Sequence, residues 1–106
     1  MTTREIFDKM QKRMDANPEK LAGIKAVYQF NITGADPGAY RVTVSDKKAV
    51  VAEGTFSSPD ITIIMASNDF VNLVEGKLGS VMAFTTGKLK LKGDMMLAMK
   101  LESLLK

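Results

Sequence analysis

Apolar side chains recur every four residues near the N-terminus, which is the spacing of one face of an α-helix. The residues on this face are Ile6, Met10 and Met14. Thr2 and Glu5 have the separation of a capping box, and the pair Asn17-Pro18 interrupts the periodic run. The pattern predicts an amphipathic first helix, followed by a short turn that ends at Leu21.

Four β-rich runs follow, and in the first two of them apolar and polar side chains alternate. The runs are AVYQFNITG (26–34), AYRVTVSD (39–46), KAVVAEGTF (48–56) and DITIIMAS (60–67). Alternation with a period of two is typical of strands that bury one face of a sheet. Because only short turn-like segments separate the runs, the sequence predicts an antiparallel meander with helices covering its apolar face.

The last third of the chain predicts helices and one more strand. DFVNLVEGK (69–77) and VMAFTT (81–86) are predicted helices, KLKLKG (88–93) is a fifth strand, and Asp94 caps a final helix. Within the strand, Leu89 and Leu91 point inward while the lysines point outward. This order of elements is typical of an α+β fold.

Composition narrows the functional classes. The 106 residues, 45% hydrophobic and 25% charged, fit a single globular domain over residues 1–106. The chain has no cysteine and no histidine, which excludes disulfides, thiolate nucleophiles and the commonest general base. Without a run of about 20 apolar residues or an apolar segment in its charged N-terminus, we expect a cytoplasmic protein.

Several segments together resemble the sterol carrier protein-2 family of non-specific lipid-transfer proteins, over roughly residues 20–106. The matching residues are Phe30 with Gly34, Asp60, Asp69-Phe70 with Leu73 and Gly76, Ala83-Phe84, Gly87-Lys88-Leu89 with Leu91, and Gly93-Asp94. The resemblance implies a five-stranded, mainly antiparallel sheet with helices packed on one face, enclosing an apolar tunnel. It also implies that the tunnel holds fatty acids, fatty acyl-CoA, sterols or other lipids for carriage or presentation without catalysis.

The final helix carries two apolar arcs. At 100° per residue, one arc holds Leu97, Leu101, Leu104 and Leu105, a core-facing stripe. The other arc holds Met95, Met96 and Met99 among polar residues. Flexible methionines suit the wall or mouth of a lipid tunnel, but packing against other helices or a dimer mate would also explain them.

Other apolar residues are candidates for the tunnel lining. Those predicted from the short helices are Phe70, Leu73, Met82 and Phe84, and those predicted from the fourth strand as a floor are Ile61, Ile63 and Met65. A plain core position is an equally good interpretation of each, because alternation within a strand places a side chain on a face without showing a void beside it.

A basic excess lies at the C-terminal end, where residues 76–106 carry six basic and two acidic side chains. Lys88, Lys90 and Lys92 are predicted on the outer sheet face. They either protect a sheet edge from pairing with other strands or make transient contact with an anionic membrane or a CoA phosphate.

No motif predicts an enzyme. Asp60, Asp69 and Asp94 lie at element boundaries, where they suit capping better than acid–base chemistry, and the glycines lack phosphate-loop spacing. We expect no cofactor, no metal and no nucleic-acid partner. The competing hypothesis is a protein-interaction or dimerisation module that uses the methionine-bearing helix, and the sequence leaves monomer and homodimer both open.

Overall fold

A computed structural model describes residues 1–100 and Leu105 of the chain. The helices are α1 (Thr3–Ala16), α2 (Ser67–Val74), α3 (Ser80–Thr85) and α4 (Met95–Met99), with a single 3-10 turn at Pro18–Leu21. The strands are β1 (Ala26–Thr33), β2 (Gly38–Ser45), β3 (Lys48–Glu53), β4 (Ile61–Ala66) and β5 (Leu89–Gly93). The predicted α+β order of elements is confirmed. Of the predicted leucine stripe, Leu101 and Leu104 lie outside the described residues.

The five strands form one mixed sheet in the order β3-β2-β1-β4-β5. The pairs β1–β2, β2–β3 and β4–β5 are antiparallel, whereas β1 and β4 are parallel, with Tyr28 opposite Ile61. The sheet is therefore mainly antiparallel, as expected. The predicted meander is correct for β1 to β3 and wrong for β4, which returns to lie beside β1.

Two sets of hydrogen bonds explain why β4 returns to the centre of the sheet. The Asp60 N–H donates to the Val27 carbonyl over 3.0 Å, and the Val27 N–H donates to Asp60 Oδ2 over 2.7 Å. The buried Gln29 side chain holds the connection before β4, since its Oε1 accepts from the Phe56 N–H over 2.8 Å and its Nε2 donates to the Gly54 carbonyl over 3.2 Å. The pattern of inward and outward side chains along β4 does not indicate these long-range contacts.

The apolar core lies between one face of the sheet and the longer helices. Phe7 of α1 stacks on Tyr40 with ring centroids 4.1 Å apart, and it contacts Phe30 and Phe70 at 5.3 Å each. Such aromatic pairs contribute beyond the area they bury, by roughly 0.5–1.5 kcal/mol each. This aromatic cluster fixes α1 and α2 against the central strands.

The predicted capping box begins α1. The Glu5 N–H donates to Thr2 Oγ1 and the Thr2 N–H donates to Glu5 Oε1, both over 3.1 Å. Hydrogen bonding of the Glu5 carboxylate to the Thr2 backbone N–H, and then to the Thr2 hydroxyl, lowers the pKa of Glu5. Among the described residues, no helix combines the length and the apolar character needed to cross a membrane.

A tight junction connects β5 to α4. Gly93 has φ +118°, and a Cβ at this position would lie 2.4 Å from the Asp60 carbonyl oxygen. The Asp94 N–H donates to that oxygen over 2.9 Å, and Asp94 Oδ1 accepts from the Met96 N–H over 2.9 Å. The predicted Asp94 cap is confirmed, and the junction sets the direction in which α4 leaves the sheet.

Candidate functional site

An open apolar groove of about 650 Å³ lies between α3, β5 and α4. Its lining residues are Ser80, Val81, Phe84, Leu89, Leu91, Met95, Ala98 and Met99. All of these side chains except the Ser80 hydroxyl are apolar, and none is titratable. The groove can therefore receive an apolar ligand but offers it no acid, base or nucleophile pair.

Strand alternation and helical spacing bring the groove residues together. Leu89 and Leu91 lie on the inner face of β5, where they pair with Met65 and Ile63 of β4, and they form the floor. Val81 and Phe84 stand three positions apart on α3 and form one wall. The facing wall is made by Met95, Ala98 and Met99, which have the i, i+3, i+4 spacing of one helix face.

Among the described residues the groove is open, and the two helices beside it are short. α3 has six residues and α4 has five, so neither covers β5 fully. Phe84 is 49% exposed and Met99 is 83% exposed, which is unusual for large apolar side chains. At this place the described residues form a groove rather than a closed tunnel, and its enclosure stays a prediction.

The sequence-predicted lipid residues fall into three groups. Phe84, Met95 and Met99 line the groove. Met82 and Met96 are exposed on the same two helices but do not line it. The remaining five, Ile61, Ile63, Met65, Phe70 and Leu73, are buried in the core. The structure thus brings together Phe84 of α3 with Met95 and Met99 of α4 and places the candidates from β4 and α2 in the core.

Sequence reasoning missed four apolar groove residues as candidates for lipid contact. These are Val81, Ala98, Leu89 and Leu91, although both leucines were predicted to point inward. Helical spacing could have found the first two, because Val81 stands three positions before Phe84 and Ala98 three positions after Met95. Leu89 and Leu91 were interpreted only as inward-facing residues of the last strand. Alternation within a strand shows which face a side chain lies on, but it does not reveal a cavity beside that strand.

Tyr28 anchors α4 beside the groove. Its side chain is fully buried, and its hydroxyl donates to the Leu97 carbonyl of α4 over 3.2 Å. Burial raises the pKa of Tyr28 to about 12, with further contributions from the negative charges of Asp94 and Asp60. The phenol therefore stays neutral and remains a hydrogen-bond donor at physiological pH.

Lys90 and Lys92 of β5 lie on the other face of the sheet, and Lys88 immediately precedes the strand. Lys88, Lys90 and Lys92 are exposed, and Lys90 and Lys92 pair with Ile64 and Thr62 on that face. Among residues 1–100 no carboxylate lies within ion-pair distance of these three side chains. Residues 76–100 contain five lysines and one aspartate, so this part of the chain is basic.

Comparison with known proteins gives a consistent result. A family model described as the SCP-2 sterol transfer family matches residues 7–106. Hydroxysteroid dehydrogenase-like protein 2 of Mus musculus is 42% identical over 88 residues, which are 82% of this chain and 18% of that protein. The chain thus spans about a fifth of the length of the curated relatives it matches.

Solved structures share the fold over nearly the whole chain. The solution structure of palmitated SCP2L2 from Aedes aegypti is 29% identical, with a TM-score of 0.83, covering 99% of this chain and 95% of that one. The complex of sterol carrier protein-2 from Aedes aegypti with palmitate has a TM-score of 0.75 at 23% identity, covering 95% and 91% of the two chains. The second likeness is one of fold alone.

Proposed function

We propose a function from the premise that this chain belongs to the SCP-2 sterol transfer family. The groove between α3, β5 and α4 binds the apolar part of a fatty acid, a fatty acyl-CoA, a sterol-like molecule or another lipid. The protein carries or presents that lipid without changing it chemically. The observation that supports this proposal most is the groove itself, about 650 Å³ in volume with one hydroxyl among its lining side chains.

The size and chemistry of the groove suit a long acyl chain. Ligand sites in proteins typically have volumes of about 300–1,000 Å³ and mostly apolar linings. Burial of a chain of about 16 carbons is worth on the order of 12 kcal/mol relative to water, at about 0.8 kcal/mol per CH₂. Because a bilayer offers similar burial, transfer between membrane and groove is nearly neutral, as a carrier requires.

The nature of the walls supports a broad ligand range. Met95 and Met99 are unbranched and can repack around guests of different shape, whereas the rigid ring of Phe84 supplies apolar area on the facing helix. The palmitated relative from Aedes aegypti supports a fatty acid as the first ligand to test.

Binding of palmitate to the delipidated protein tests the proposal. Native mass spectrometry is expected to show a 1:1 complex, and palmitate at about 100 times its Kd is expected to stabilise the fold by about 2.7 kcal/mol. Ala98→Trp places a bulky ring in the groove and is expected to weaken binding at least tenfold. Met96→Trp adds the same ring on the same helix outside the groove and is expected to retain affinity. Equal affinities of the two variants, or no binding by the parent, would contradict the proposal.

The basic surface supports a transient encounter with anionic membranes as part of the same function. Lys88, Lys90 and Lys92 are exposed, and each lysine near such a surface contributes on the order of 1 kcal/mol. Reversal of these three charges to glutamate is expected to slow palmitate transfer to anionic vesicles but not to neutral ones. Reversal of Lys9, Lys12 and Lys25 makes the same change in net charge elsewhere and serves as the control. Equal slowing by both triple variants would show that the membrane contact is not specific to Lys88, Lys90 and Lys92.

A protein partner is the second candidate for the same region. Met82 and Met96 support it, because they are 60% and 69% exposed and do not line the groove. Sedimentation velocity over a wide concentration range distinguishes the two functions. A lipid-free dimer that dissociates when both methionines are replaced by serine would favour a pairing module over a carrier.

A further inference from the structure

Apart from Met1 at the N-terminus, the described methionines form one exposed group and one buried group. Met82, Met95, Met96 and Met99 are exposed on α3 and α4, whereas Met10, Met14 and Met65 are at most 3% exposed in the core. Oxidation of a thioether requires contact between the sulfur and the oxidant. A dissolved peroxide therefore reaches the methionines of α3 and α4 long before those of the core.

We propose that Met95 and Met99 are a reversible oxidation site that controls lipid binding; the proposal rests on the proposed function of the groove. The oxidant is a hydroperoxide. Each sulfur supplies two electrons, an S–O bond forms as the peroxide O–O bond breaks, and the peroxide leaves as water or an alcohol. Reduction of the sulfoxide by a methionine sulfoxide reductase restores the thioether.

Oxidation of Met95 and Met99 makes the groove surface that contacts the ligand more polar. Met95 and Met99 face the apolar residues Phe84, Leu89 and Leu91 across the same cavity. A sulfoxide is a strongly polar acceptor, and an acyl chain placed against it removes its water without supplying a donor. We therefore expect each sulfoxide to weaken palmitate binding about tenfold, which corresponds to about 1.4 kcal/mol.

The fold itself is expected to tolerate the modification. Met95 and Met99 are both exposed residues of α4, and the cap by Asp94 and the hydrogen bond from Tyr28 to Leu97 involve no methionine side chain. The methionines of the core keep their thioethers. The modification therefore alters ligand binding without unfolding the protein, which distinguishes a switch from general oxidative damage.

Bound lipid is expected to protect this site selectively. An acyl chain in the groove covers Met95 and Met99, while Met96 on the same helix stays in contact with water because it does not line the groove. Met96 thus provides an internal reference for the access of peroxide to α4. The ratio of oxidation at Met95 to oxidation at Met96 reports groove occupancy directly.

Mild hydrogen peroxide treatment of the delipidated 106-residue chain, with and without palmitate, tests the proposal. Peptide mapping by mass spectrometry is expected to find sulfoxides at Met82, Met95, Met96 and Met99, with at least fivefold slower oxidation of Met95 and Met99 when palmitate is present. Equal protection of Met96 would overturn the assignment of the site to the groove. Circular dichroism of the oxidised protein is expected to match that of the untreated protein, and loss of its folded signal would overturn the distinction from damage.

Two double variants then connect oxidation to binding. Each variant is compared with itself before and after peroxide. Met95→Leu with Met99→Leu is expected to keep its own palmitate affinity after treatment, whereas Met82→Leu with Met96→Leu is expected to lose affinity at least tenfold, as the parent does. An unchanged affinity of the oxidised parent would overturn the inference alone. Failure of the untreated parent to bind palmitate would overturn the proposed function, and the inference with it.

Discussion

The aromatic cluster and the groove are both built from large apolar side chains on the same face of one sheet, yet only the first is closed. Phe30 of central β1 is fully buried under α1 and α2, while Phe84 beside edge strand β5 is half exposed. α1 has 14 residues and α2 has eight, against six and five for α3 and α4. The length of the covering helix, rather than the apolar character of the residues, separates core from site.

The two regions therefore have different roles, one in stability and the other in ligand binding. Residues of the closed region determine the free energy of unfolding, because their truncation leaves a cavity inside packed surroundings. The groove side chains of α3 and α4 that are exposed, Val81, Phe84, Met95 and Met99, have little stability to lose, so their contribution is to ligand binding. Pairs of chemically matched substitutions, one in each region, test whether the two regions differ in this way.

The largest expected effect comes from truncating matched phenylalanines. Phe30→Ala removes a fully buried ring and is expected to lower the free energy of unfolding by about 3–5 kcal/mol. Phe84→Ala is expected to cost less than about 1 kcal/mol, because its ring is half exposed. Urea denaturation of both variants measures the difference. Equal losses would mean that the groove belongs to the structural core.

The junction between β5 and α4 offers the next effect. At Gly93 a Cβ would lie 2.4 Å from the Asp60 carbonyl oxygen, and φ is +118°. Gly93→Ala is expected to cost about 3 kcal/mol or more and to displace α4, since strained backbone and a backbone clash add. Gly76→Ala is the control, because Gly76 also has a positive φ of +80° but open space around it, and it is expected to cost about 1–2 kcal/mol. Urea denaturation of both variants measures the two losses in the free energy of unfolding, and palmitate affinity is a second readout. Similar losses for Gly93→Ala and Gly76→Ala would contradict a clash at Gly93.

The smallest expected effect concerns the anchor of α4. Tyr28→Phe removes the hydrogen bond to the Leu97 carbonyl and is expected to cost about 1 kcal/mol at neutral pH. The raised pKa of Tyr28, about 12 against the ordinary 10.0, means that folding favours the neutral phenol. The contribution of the phenol to stability is therefore complete below pH 10 and is lost as the pH rises toward 12.

The difference in unfolding free energy between the parent and Tyr28→Phe isolates that contribution. We expect the parent to be the more stable protein at pH 9, and its advantage to shrink by pH 11, because the unfolded phenol ionises first. An advantage that stays constant between these two pH values would show that Tyr28 does not anchor α4 as a buried neutral donor.

Much of the fold could be predicted from local sequence. The capping box at Thr2 and the Asp94 cap depend on contacts within three residues, and the inward leucines of β5 follow from alternation alone. The place of β4 could not be predicted, because parallel and antiparallel partners leave the same alternation in a strand. The buried Gln29, which holds the connection to β4, reads in sequence as an ordinary polar residue of an exposed face.

The site was predictable only in part, and for a physical reason. Phe84 is a candidate because its predicted helix is short and apolar, and Met95 and Met99 are candidates because they lie on the helix arc opposite the leucine stripe. All three line the groove. Phe70 and Leu73 have the same pattern on α2, but that helix packs against the aromatic cluster and buries them. Whether an apolar residue lines a core or a cavity depends on what covers it, which a single sequence does not state.

Intermolecular nuclear Overhauser effects between palmitate and the methionine methyl groups test the central claim most directly. The chain has eight methionines, of which Met10, Met14 and Met65 lie in the core and Met95 and Met99 line the groove, so selective methyl labelling samples both regions in one experiment. We predict contacts from the acyl chain to the methyl groups of Met95 and Met99 and none to those of Met10 and Met14. Contacts to the buried Met65 without contacts to Met95 or Met99 would contradict the account, because the lipid would then lie within the core.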